Sequence, residues 1–294
     1  MRDALPLSTD PGHDPSAEAI TEVDVTGDRA WVRSVSQEHR RSTKFYEYRL
    51  TRTDGEWRIS RILKSSVPPG TPLIDRAKAD RLLGATRVDA LLSPSESNLR
   101  IVNLFTEGQQ VMVIDEPAPL KVTWLGEITC ASGVLAVADL GWVEFEHAPL
   151  IRRIPAGTYP VDVAAAGDTN VALRLRLSDA PTVSWHPADN TDGTHMVEVE
   201  AGNVAIVDFG SISTCEVQHV EELYEQVVVD RQDTPGTVFS LTDASPDAVV
   251  VTSGYGDGSY PCYWGVAVDG SLTELVVDFL VLADERERTV SLGR

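Results

Sequence analysis

The chain has 294 residues, 42% of them hydrophobic and 24% charged, with 45 acidic against 25 basic side chains and a formal net charge of −20. This is the composition of a globular protein with ample core, and its charge opposes phosphate backbones and anionic lipid, so neither nucleic-acid nor membrane binding is expected. No apolar run reaches the roughly 18 residues of a membrane helix and no signal-peptide core opens the sequence, so a cytoplasmic location is expected.

Residues 1–18 carry Pro6, Pro11, Gly12 and Pro15 without apolar periodicity and read as a flexible tail. Strands are predicted over 19–25, 29–37, 44–53 and 56–63, with hairpin signals at Gly27-Asp28 and Asp54-Gly55. Alternation of Phe45, Tyr48 and Leu50 against Trp57, Ile59 and Ile62 gives one face to bury. This first domain, 19–66, ends in VPPGTP at 67–72, a linker whose three prolines prevent helix and ladder alike. Leu73, Ala77, Leu82 and Leu83, with charges between them, predict a short amphipathic helix over 73–83.

Strands return at 101–105, 110–114, 120–125, 161–165 and 172–177. In the last of these, Arg174 and Arg176 share a face and are expected to neutralise some of Glu198, Glu200, Asp208 or Asp278. Residues 213–229 predict the main helix, with Val217, Val220, Leu223, Tyr224 and Val227 inward and Ser213 or Thr214 as N-cap. Glu216, Glu221, Glu222 and Glu225 then form an acidic outer face, the candidate surface for a partner. Residues 249–282 predict an antiparallel meander of three strands. Val249 to Val251 are apolar enough for burial on both faces, glycines alternate over 254–258, and Asp269-Gly270 signals a type I′ hairpin. Asp278, set among Val276, Val277, Phe279 and Leu280, is either a polar anchor for the glycine-rich loop or an outward-facing strand residue.

Charge divides the chain as well. Residues 1–80 hold thirteen basic and thirteen acidic side chains, whereas residues 81–294 hold twelve and thirty-two, the whole excess; between Ser178 and Glu285 the only Lys or Arg is Arg231. Such a field attracts a basic protein partner, though it also serves solubility.

Signals for chemistry are sparse. Cys130, Cys215 and Cys262 are widely spaced with no C-x-x-C pair, which argues for buried, reduced thiols and against zinc or disulfides. His186, His195 and His219 lack metal-site spacing. Asp139, Glu200, Asp208, Asp257 and Asp278 could do acid/base work or hold Mg²⁺ or Ca²⁺ if the fold gathers them. No cofactor is implied.

The segment SGYGDGSYPCYWGVAVDGSLTELVVDF, preceded in order by SGVLAVADL at 132–140, IPAGTYPVDVA at 154–164, ALRLRLSDAPTVSW at 172–185 and VEVEAGNVAIVDFGS at 197–211, resembles a bacterial family known as domain of unknown function 4241. The resemblance spans about residues 120–282 and implies no activity. Where the family usually has Asp-Pro, this chain has Asp139-Leu140. Upstream, TRTDGEWRISRIL at 51–63 resembles the closing strands of the nuclear transport factor 2-like cone fold, particularly its immunity-protein branch. The helices that precede those strands in the cone fold have no counterpart here, so the sheet's concave face is expected to need a cover from the second domain or a second subunit.

These readings combine into a mainly β (α+β) protein. A curved antiparallel sheet resembling the sheet half of a cone fold is followed, over 73–294, by a β-rich sandwich-like or barrel-like domain with one main helix. The expected function is that of a non-catalytic protein-binding factor, an immunity protein neutralising a basic toxin or effector by occlusion. The alternative is a carboxylate-dependent hydrolase or metal-binding enzyme using loop 254–259, with Asp257, Tyr260 and Asp278 as catalytic candidates.

Overall fold

The computed structural model describes residues 18–38, 42–96, 104–114, 116–141, 148–229, 234–242 and 245–282. It is mainly β and divides into two compact units, Met1–Thr71 with Glu216–Gln218, and Pro72–Cys215 with His219–Arg294. The division falls inside the proline-rich segment. The expected tail lies almost wholly outside the described residues.

In the first unit, β1 (Glu18–Thr26), β2 (Arg29–Glu38), β3 (Ser42–Thr53) and β4 (Glu56–Ser65) form one antiparallel sheet in sequence order. The β3–β4 turn has both Asp54 and Gly55 at positive φ, 55° and 84°, the requirement of a two-residue type I′ hairpin. One detail of the alternation differs. Tyr48, Leu50, Ile59 and Ile62 share a face through their register, but Phe45 pairs with Val35 and Ser65 on the opposite face. Odd and even positions of one strand cannot share a side without a bulge between them.

The second unit contains two sheets. The larger has eight strands: β10 (Ser184–Pro187), β15 (Gly258–Val266), β16 (Leu272–Asp278), β9 (Thr169–Arg176), β8 (Gly157–Ala166), β6 (Glu116–Cys130) and β5 (Gln110–Val113) in that order, with β11 (Met196–Val199) also paired to β15. The smaller runs β13 (Gly236–Phe239), β14 (Ala248–Thr252), β12 (Asn203–Asp208) and β7 (Leu135–Ala138). Val204, Ile206, Val249 and Val251 of the small sheet join Val163, Leu173 and Val277 of the large one in a single core. The intervening Ala205, Val207, Ala248 and Val250 face a second core with Ile74, Ala79, Ile212 and Val220. The small sheet is thus buried on both sides, which is why its strands read as unbroken apolar runs.

This arrangement corrects the meander. All three strands form, but β14 pairs with β12 and β13 whereas β15 pairs with β16. The glycine-rich segment carries the chain from one sheet to the other, and only β15–β16 is a hairpin. Its turn is not type I′ either: Gly270 alone has positive φ. Ala267 and Ser271 close the loop, Gly270 N–H donates to Ala267 O at 2.9 Å, and the Asp269 carboxylate accepts from Ser271 N–H at 3.0 Å. A three-residue turn ending in a left-handed glycine answers to the same Asp-Gly dipeptide.

Two further expectations shift. The helix expected over 73–83 is Arg76–Ala85, with Asp75 as N-cap accepting from Lys78 N–H. The main helix is shorter than expected: Phe209–Ile212 is separate, Val217–Tyr224 follows, and Glu225–Val229 is a π-turn. Ser213 and Thr214 do not cap it, since their hydroxyls donate to Gly210 O and Ser211 O of the preceding turn. Of the strand expected at 101–105, residues 101–103 lie outside the described residues and Leu104-Phe105 form a turn.

Candidate functional site

β7 and β12 run antiparallel, and a buried carboxylate closes each end of the pair. Asp139, directly after β7, accepts the N–H groups of Glu200 at 2.8 Å, Ala201 at 2.6 Å and Gly141 at 2.8 Å, and Asn203 Nδ2 at 2.9 Å. Asn203 Oδ1 in return accepts Leu140 N–H at 3.1 Å. At the other end Asp208 accepts the N–H groups of Ala131 at 3.1 Å, Ser132 at 3.2 Å and Gly210 at 3.3 Å, together with the Ser132 hydroxyl. Each acid thus holds the turn that leads into the other's strand. Several charge-assisted bonds offset the cost of burying an unpaired charge. By register the two acids stand four residues apart along the β7–β12 pair, about 13 Å, so they do not share a site.

The hydrolase candidates are placed as follows. Tyr260 is buried, and its hydroxyl lies 3.0 Å from Ser253 O and 2.6 Å from Gly256 O. It therefore holds the glycine-rich loop in shape, and burial pushes its phenol above the ordinary tyrosine range. Asp278 is fully buried, which rules out the outward-facing alternative; its carboxylate accepts Leu280 N–H at 2.9 Å, anchoring a turn in which Leu280 takes φ of 55°. Asp257 is exposed. It stands near two other exposed carboxylates: Glu198 is paired in register with Ser259 and accepts its hydroxyl at 2.7 Å, and Glu200 lies in the turn whose Gly202 approaches Gly256. Among the described residues no group of three or more His, Cys, Asp or Glu could hold a metal ion.

The acidic helix face is broken up. Glu216 is exposed, but Glu222 is 8% exposed and accepts Gln226 Nε2 at 3.2 Å, and Glu221 is half-buried. The side chain of Glu225 lies outside the described residues. Helical spacing placed Glu222 on the outer side, whereas the structure buries it. The two arginines also find other partners. Arg174 binds Asp162 at 2.8 Å and Glu274 at 3.5 Å, and Arg176 reaches Asp162 at 2.9 Å. These acids lie on neighbouring strands of the same sheet, a pairing that sequence separation concealed.

One arrangement carried no sequence signal beyond a Ser-x-His spacing. Ser184 Oγ lies 3.1 Å from His186 Nε2, and His186 Nδ1 lies 2.7 Å from the backbone carbonyl of Ser93. A carbonyl only accepts, so Nδ1 carries the proton and Nε2 of the neutral ring is free to accept from the serine.

All three cysteines are free and buried. Burial pushes the thiols of Cys130 and Cys262 up to about 12, helped at Cys130 by the Asp208 charge. Native protein at neutral pH is therefore expected to resist a thiol-specific reagent and to react fully once unfolded in urea; rapid labelling of folded protein would contradict the burial. The sign of the linkage follows. The unfolded thiols ionise near 9.0 and the folded ones only near 12, so this contribution is intact below pH 9 and is lost as pH rises between those values.

Residues 128–277 match the model of a family described as protein of unknown function (DUF4241). No curated protein and no solved structure matches the chain. The match lends nothing to the cone-fold resemblance of the N-terminal strands, which lie outside it. Among the described residues no helix is long and apolar enough to cross a membrane.

Proposed function

The chain belongs to the DUF4241 family, and on that premise we propose that it is a non-catalytic protein-binding factor. The observation that carries this reading is how the acids are used. Asp139, Asp208 and Asp278 are each bonded to backbone N–H groups and Asp162 to arginine, whereas Glu198, Glu200 and Asp257 remain exposed beside β11, an edge strand. The partner is a basic protein, drawn by the acidity of the second unit. The narrower form, an immunity factor neutralising a basic toxin by occlusion, requires only a surface matched in shape and charge.

The test is affinity capture from the native host at low and high salt, using wild type and a Glu198→Gln, Glu200→Gln, Asp257→Asn triple variant. A basic protein that is retained at low salt, released at high salt and lost with the triple variant is the expected result. Equal capture by both proteins would overturn it. Ser184 is expected to remain unlabelled by a fluorophosphonate; labelling, or a hydrolytic turnover lost in Asp257→Asn, would move the reading to an enzyme.

A further inference from the structure

A pocket of about 360 Å³ opens on the N-terminal sheet, wholly within the first unit. Strand pairing builds it in two rows. Thr26 of β1 and Thr51 of β3 stand directly opposite Arg29 of β2, one on either side, and one step along the same face Asp24 and Arg49 flank Trp31 in the same way. All six residues line the pocket. The first row is a set of donors that the chain leaves unused: among the described residues the Arg29 guanidinium and the two threonine hydroxyls enter no hydrogen bond or ion pair with another residue. The second row is held in place. Arg49 donates from Nε to Glu47 at 3.2 Å, and the Arg33 guanidinium, itself 3.0 Å from Glu47, stacks on the Trp31 ring at 4.4 Å.

We propose that this pocket binds a nucleoside monophosphate. The phosphate sits on the first row, where a guanidinium fork between two hydroxyls offers charge-assisted hydrogen bonds to its oxygens. The base stacks on Trp31, which stands about 7 Å away along β2, and the Asp24 carboxylate beside the ring accepts from an amino group of the base or from the ribose hydroxyls. Volume agrees, since small-molecule sites begin at about 300 Å³. Charge sets the number of phosphates. Glu22, Asp24, Glu47 and Glu56 leave a surplus of one among the five arginines of this face, Arg58 and Arg61 included, which suits a single phosphate and not a chain of them.

The proposal is independent of the acidic-surface reading, which concerns the other unit. Calorimetric titration of the full chain with each of the four ribonucleoside monophosphates is expected to show one equivalent of at least one of them bound, with a dissociation constant of about 0.1 mM or tighter that weakens as salt is added. The corresponding nucleoside, which lacks the anion, and inorganic phosphate, which lacks the ring, are each expected to bind about tenfold more weakly or less. Arg29→Gln alters an exposed side chain and is expected to raise the nucleotide dissociation constant about tenfold or more; Trp31→Leu is expected to raise it about fivefold or more. Lys64→Ala, on the opposite face, and the Glu198→Gln, Glu200→Gln, Asp257→Asn triple variant are expected to bind as wild type does. Failure of all four nucleotides to bind would overturn the proposal, as would binding indifferent to Arg29→Gln, or inorganic phosphate or nucleoside bound as tightly as the nucleotide.

Discussion

Asp208→Ala is expected to destabilise the fold by about 3–5 kcal/mol, because it leaves buried backbone donors without an acceptor and not merely a smaller side chain. Ala131, Ser132 and Gly210 all direct their N–H groups at this carboxylate. Asp208→Asn is the sharper variant. It preserves volume, but its amide nitrogen must replace either the oxygen that accepts the Ala131 and Ser132 N–H groups or the one that accepts the Gly210 N–H with the Ser132 hydroxyl, so it is expected to lose much of the same stability. Urea denaturation reads the outcome as a fall in midpoint at constant slope. If the asparagine variant came within about 0.5 kcal/mol of wild type, in the range of an ordinary surface substitution, the carboxylate would be filling space and the account of the β7–β12 pair would fail.

Asp139 and Asp208 were visible in the sequence as acids ending apolar runs, and their family resemblance marked them as candidates for chemistry. Their structural use was hidden because, besides one local N–H each from Gly141 and Gly210, their backbone partners lie more than 60 residues away and leave no trace in side-chain pattern. The same limit explains the meander. Val249 to Val251 announced a strand buried on both faces, but local sequence identifies a strand better than it identifies its neighbour, and a glycine-rich segment permits a change of sheet as readily as a hairpin. In the first unit the apolar alternation named nearly all the right residues. It misplaced Phe45, which stands three residues before Tyr48 with no bulge between them and so faces the other side, and it could not foresee the bulge that brings Ile59 and Ile62 together, because that bulge carries no distinctive residue of its own. Arg174 and Arg176 were read as sharing a face, which they do; their acids, on β8 and β16, became neighbours only through the sheet order. Asp54-Gly55 needed nothing beyond itself, since both residues must take positive φ in a two-residue loop.

Gly133→Ala has the second large expected effect, about 2–4 kcal/mol, and it acts on the same turn that Asp208 holds. Gly133 has φ of 68°, and a methyl group there would stand 2.6 Å from the Ile154 carbonyl, so the left-handed penalty of about 1–2 kcal/mol is joined by displacement of a backbone that already bonds Gly133 O through Ile154 N–H at 3.0 Å. Gly167→Ala supplies the contrast: its φ is 61° but nothing lies within 4 Å of the added carbon, so only the conformational penalty, about 1 kcal/mol, is expected. The two substitutions thus divide backbone strain from collision. Combining Gly133→Ala with Asp208→Ala is expected to cost less than the sum of the two, with a coupling of about 1–2 kcal/mol, because once either change has released the 131–134 turn the other has less left to disturb. Strict additivity in a denaturation cycle would mean that the serine-glycine turn and the aspartate are independent, and that the first signature segment is conformationally important for some reason other than its docking onto β12.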